Sequence, residues 1–148
     1  NKSVFLEDNT YNILFASDIL DLYPNSKLLH IVRSPLDVLA SAQNQRWTPS
    51  NVKHLIVWYK QIMDKWFLEE RKCDTGRIKV VRFEKLIENP TETIEEISLF
   101  FGLDSEKQMF ELDLGSHNIG RYKTAFSKPE IELINRELDH YLHKLGYN

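Results

Sequence analysis

The sequence predicts an α/β domain: a parallel sheet flanked by helices. Three observations predict it. Two compact apolar runs of strand length, "KLLHIV" at 27–32 and "RIKVVRF" at 77–83, lie far apart in the chain. Amphipathic helical patterns alternate with them, the arrangement that builds parallel sheets. The 148 residues, 42% hydrophobic and 28% charged, suit one domain with a real core, so residues 1–148 read as a single unit.

Taken in order, "VFLED" at 4–8 predicts a short strand, and "NILFASDILDLYP" at 12–24 a helix ended by Pro24. The run at 27–32 predicts a strand buried on both faces. A helix follows at 35–45, then a long one at 48–72, where Val52, Leu55, Tyr59, Ile62 and Trp66 recur at helical spacing. A second strand follows at 77–83. Asn89-Pro90 then opens a helix at 91–102, stopped at Gly102. Residues 103–127, with Gly115 and Gly120, read as loop. The last helix spans 128–147, with Ile131, Ile134, Leu138, Tyr141, Leu142 and Leu145 on one face.

Charge and cysteine usage narrow the function classes. Nineteen basic and 22 acidic residues leave a net charge of −3, which argues against bulk nucleic-acid binding and still allows a local anion site. A single cysteine, Cys73, excludes an internal disulfide framework and fits a reducing compartment. There is no long apolar run for a membrane span. The expected location is therefore the cytoplasm, or the Golgi lumen should an anchor precede Asn1.

The stretch "LLHIVRSPLDVLAS" at 28–41 carries the sharpest local signal. Ser34 suits an N-cap, Pro35 the first helical position, and Asp37 the third residue of a capping box. Arg33 then stands at the carboxyl end of a parallel strand, where open α/β sheets place ligands. Ser41 follows Ser34 by two turns on the same helix face. A helix N-terminus favours anions and an arginine grips phosphate through two parallel hydrogen bonds, so Arg33 and Ser41 form a candidate phosphate site. A structural arginine in an ion pair and a packing serine satisfy the same spacing.

Around these residues, "YPNSKLLHIVRSPLDVLASA" resembles the 3′-phosphate-binding segment of sulfotransferases that use 3′-phosphoadenosine-5′-phosphosulfate (PAPS). Two further stretches are similar to the same family, in the right order: "IKVVRFEKLIENPTETIEEISLFFGL" at 78–103 and "IGRYKTAFSKPEIELINRELDHYLHKLGY" at 119–147. The resemblance implies a P-loop NTPase-like sulfotransferase fold, this chain being its C-terminal part and incomplete at the N-terminus. It implies a transferase that moves a sulfuryl group from PAPS to a hydroxyl or amine of a small-molecule, carbohydrate or peptide acceptor, without a metal. Arg33 and Ser41 would bind the 3′-phosphate. Arg121 and Lys123 would belong to a loop that closes over the nucleotide. Phe83 and Glu84 stand where relatives carry Tyr-Glu near the adenine, although a core phenylalanine reads equally from the strand end. Trp47 and Trp58 are candidates for an acceptor wall, with helical packing the simpler account of Trp58.

Two departures qualify the match. The family's glycine-containing phosphosulfate loop, which holds the 5′-phosphate on backbone N–H groups, is not recognisable: the five glycines are scattered. Asp8-Asn9-Thr10 stands where many members carry Lys-Thr-Pro, and neither Lys2 nor Glu7 is an evident substitute, so the catalytic residues are unassigned. The alternative is a non-catalytic domain binding 3′-phosphoadenosine-5′-phosphate (PAP), or a scaffold, that keeps the fold without the loop. Either reading expects pairing with a missing N-terminal part or another chain. His140 and His143, three apart on a helix, fall away from its apolar face and read as solvated rather than as metal ligands. The acidic residues from Glu84 to Glu111 read as solvated helix faces.

Overall fold

The computed structural model describes residues 4–104 and 119–147. Two strands, β1 (Leu28–Val32) and β2 (Ile78–Arg82), pair in parallel with Leu28 opposite Ile78 and Val32 opposite Arg82. Helices α1 (Ala16–Leu22), α2 (Pro35–Ala42), α3 (Val52–Glu70), α4 (Phe83–Glu88), α5 (Pro90–Phe101), α6 (Tyr122–Ala125) and α7 (Lys128–Leu145) surround them. The predicted alternation of helix and parallel strand is therefore present. None of these helices is long and apolar enough to cross a membrane.

The core lies where α2, α3 and α7 meet. Leu39, Leu55, Trp66, Ile134 and Leu138 are almost fully buried there, as the helical spacing of α3 and α7 requires. Tyr141 of α7 stacks on Phe67 of α3, and its hydroxyl donates to Asp64 at 2.7 Å. Lys60 and Glu137 close the solvent edge of the same helix pair at 2.9 Å. Loss of the Trp66 side chain would cost about 3–5 kcal/mol.

Polar clamps fasten the remaining elements. Glu69, buried on α3, accepts from Lys65 at 2.7 Å, from Lys72 at 2.8 Å and from the Ser17 amide at 3.2 Å, and also from the Ser17 hydroxyl. The lysine and serine hydrogen bonds hold its carboxyl far below the usual carboxylate range. Arg77 donates to the carbonyls of Leu20, Tyr23 and Ser26, tying the carboxyl end of α1 to the entry of β1. Gly102, at φ 69°, stops α5 in a left-handed cap where Leu103 N–H returns to Ser98 O at 2.9 Å.

Four expectations are corrected. Residues 4–8 are exposed coil with no strand partner among the described residues, so "VFLED" is not a strand. The helix expected at 12–24 divides into a 3-10 turn (Thr10–Phe15), opened by the Asn9 side chain, and α1. β1 is not buried on both faces: Ile31 is 46% exposed, and Val80 on the paired β2 43%, because the described helices cover only part of the sheet. Residues 122–125, read as loop, form the short helix α6, and Phe83–Glu88 after β2 form α4. Lys2 and Gly115 lie outside the described residues.

Candidate functional site

β1 runs out at Val32, and Pro35, which cannot continue a strand ladder, starts α2 three residues later. Arg33 therefore sits at the carboxyl end of the strand, as expected. Its side chain is 16% exposed and its guanidinium lies over the Phe83 ring at 5.6 Å. Phe83 is half-buried and flanks the cation instead of filling the core. Burial weakens the hold of Arg33 on its proton, Asp37 strengthens it, and the positive charge of Arg121 weakens it again. The two arginines thus feel one another across the sequence, while an arginine at such a site stays charged.

Asp37 links them. This carboxylate is 1% exposed. Its Oδ2 accepts the Gly120 amide at 2.8 Å and its Oδ1 the Tyr122 amide at 3.0 Å. Nη2 of Arg33 stands 3.7 Å from Oδ1. Gly120 adopts φ 79°, a left-handed conformation that suits glycine, and this turn presents both amides to one carboxylate. Arg121 lies between them, exposed, at the start of α6, and Lys123 follows on α6, also exposed. Tyr122 packs against the core.

The capping box expected at Ser34 and Asp37 does not form. The Ser34 side chain makes no cap bond, and its amide instead donates to Glu84 Oε1 at 2.9 Å. Glu84 is buried rather than solvated, and its other oxygen accepts the Tyr147 hydroxyl at 2.5 Å. Burial and this bond push the Tyr147 hydroxyl well above the usual tyrosine range. The strand register explains the correction. With Val32 opposite Arg82, two further residues on each side bring Ser34 beside Glu84.

Ser41 is half-buried in the last turn of α2. It lies six residues, about 9 Å of helical rise, beyond Pro35 at the start of α2. Beside Arg33 lies a cavity of about 160 Å³ whose wall includes Tyr11, His30, Trp47, Trp58 and Ile62. Trp47 is 56% exposed and meets Tyr11 and Trp58 edge-on, at 5.6 and 6.3 Å between ring centroids. His140 and His143 are both exposed, and among the described residues no group of His, Cys, Asp and Glu side chains is placed to hold a metal ion.

Sequence reasoning placed Arg33 but missed the work of Asp37 and Glu84. Their signal was available only as two carboxylates closely following two strand ends.

Comparison with known proteins places this geometry in context. A family model described as "Sulfotransferase family" matches residues 1–107. An uncharacterized protein of Aquifex aeolicus is 27% identical over 112 residues, which is 68% of this chain and 14% of that protein. A candidate protein-tyrosine sulfotransferase of Caenorhabditis briggsae is 29% identical over 104 residues, 67% of this chain and 37% of that protein. The chain thus corresponds to a minor part of the length of either relative.

Proposed function

Because the chain belongs to the sulfotransferase family, we propose that it forms the part of a PAPS-dependent enzyme that grips the 3′-phosphate end of the nucleotide. Arg33 and Ser41 bind the phosphate from β1 and α2, and Arg121 and Lys123 add cationic donors from the facing turn. The observation that carries this reading is the docking of the turn that bears Arg121 onto Asp37, through the Gly120 and Tyr122 amides, at the end of α2 where Arg33 stands. Arg33, Arg121 and Lys123 outnumber the two carboxylates, Asp37 and Glu84, at a helix N-terminus, which is where a phosphate is stabilised.

In the complete reaction the acceptor oxygen or nitrogen bonds to sulfur as the bond from sulfur to the 5′-phosphate oxygen breaks. The acceptor proton passes to a base, and PAP leaves. Cations near the leaving phosphate stabilise the charge that builds there. The aromatic wall formed by Tyr11, Trp47 and Trp58 beside Arg33 is where an acceptor would rest, whether a small molecule, a carbohydrate or a peptide.

Calorimetric titration with PAP and with ADP tests the reading. PAP is expected to bind at least about tenfold more tightly, since a charge-assisted phosphate contact contributes about 1.5–3 kcal/mol. Equal affinity for the two nucleotides would remove the 3′-phosphate from the assignment.

A further inference from the structure

We infer that Asp37 is a positioning residue: a buried carboxylate that clamps the Gly120–Tyr122 turn onto α2 and so holds Arg121 beside Arg33 before any nucleotide arrives. The inference rests on the phosphate-site reading above and adds a residue that the resemblance did not supply. Three features carry it. Asp37 is 1% exposed, and a carboxylate so far from water must be well hydrogen-bonded to remain charged. Both of its oxygens accept backbone amides, at 2.8 and 3.0 Å, and those amides belong to the residues on either side of Arg121. The Arg33 contact, at 3.7 Å, is too long to be a hydrogen bond. The amides of the turn, rather than the neighbouring guanidinium, are therefore the close partners of this carboxylate.

A carboxylate can also act in a phosphate site simply through its charge, and the two roles predict opposite signs. As a nearby negative charge, Asp37 opposes the binding of an anion, and removing it should tighten the complex. As the clamp of the turn, it places a cation, and removing it should weaken the complex despite the lost repulsion.

Asp37→Asn separates them. The amide keeps the shape, loses the charge, and retains one oxygen where two accepted before. Amide exchange is followed at Gly120 and Tyr122 without nucleotide, and PAP binding is measured by titration. The clamp predicts at least about tenfold faster exchange at both amides and about tenfold weaker PAP binding. Unchanged exchange at these amides would overturn it. So would faster exchange with equal or tighter PAP binding, which would leave Asp37 as a charge alone. If Asp37→Asn does not fold, the unmodified chain decides: the clamp requires protection of the Gly120 and Tyr122 amides at least about tenfold over unstructured rates in the absence of nucleotide. If the unmodified chain fails to prefer PAP over ADP, the phosphate-site reading falls, while the exchange measurement still judges the clamp.

Discussion

Glu84 accepts the Ser34 amide at 2.9 Å, so the first turn of α2 is capped by a residue of the neighbouring strand's helix, 50 positions away in sequence. The same carboxylate receives the Tyr147 hydroxyl, and the Arg82 guanidinium covers the Tyr147 ring at 4.2 Å. One buried group thus joins α2, α4 and the segment just after α7. Glu84→Gln should destabilise the protein by about 1–3 kcal/mol and Tyr147→Phe by about 1 kcal/mol. Because the two share a hydrogen bond, the double variant should lose less than the sum. Urea unfolding of the four proteins measures this, and strict additivity would show that the bond contributes nothing.

At the phosphate site, Arg33→Ala should weaken PAP binding by about 2–3 kcal/mol and Ser41→Ala by about 1 kcal/mol. The first removes a charge-assisted contact and the second one neutral donor. Titration of both variants checks the order. An unaffected Arg33→Ala would return this arginine to a purely structural role.

His30 provides a pH signature. It packs edge-on against Trp66 at 4.2 Å between centroids, its Nδ1 is buried with no hydrogen-bond partner among the described residues, and burial lowers its pKa to about 4. The folded value lies below the unfolded one near 6.5, so the unfolded chain takes up the proton first as the pH falls. Its contribution is fully present above about pH 6.5 and is lost progressively towards pH 4. Between pH 7 and pH 5 the protein should lose roughly 2 kcal/mol through this residue. The Glu69 carboxylate, held low by Lys65, Lys72 and Ser17, loses its share only below about pH 4.5, outside that window. Denaturant melts at the two pH values should converge in His30→Phe, which keeps an aromatic edge on Trp66. An undiminished pH dependence in that variant would place the titration elsewhere.

Incubated alone with labelled PAPS, this chain should transfer no sulfuryl group to any acceptor. Of the described glycines, Gly76, Gly102, Gly120 and Gly146, none lies in a turn from a strand into a helix, where backbone amides would cradle the 5′-phosphosulfate. Grip on the 3′-phosphate alone binds the ground state without following charge into the transition state. Loss of even one such transition-state donor commonly costs a hundredfold or more in rate. Measurable turnover would reveal a cradle built from other residues.

Most of the architecture was legible in the sequence because it depends on local pattern. The run from Leu28 to Val32 has the length and content of a compact strand, and its abrupt end at Ser34-Pro35 places Arg33 at the strand's carboxyl end. The apolar spacing of α3 and α7 likewise forecast which faces meet in the core. "VFLED" misled because its short apolar run has the length and content of a strand, yet nothing pairs with it among the described residues.

Sequence by itself therefore determined the two paired strands, the long helices α3 and α7, the position of Arg33 and the resemblance to sulfotransferases. These follow from residue type and from spacings of a few positions. Only the tertiary structure decided what Asp37 and Glu84 hold. Locally, Asp37 three places after Ser34 reads as a capping box, and Glu84 reads as a solvated helix residue. The true partners lie 83 and 85 positions from Asp37 and 50 and 63 from Glu84. A carboxylate taken out of water is stabilised by whichever donors the fold brings to it, and strand register together with the docking of the Gly120 turn fixes those donors.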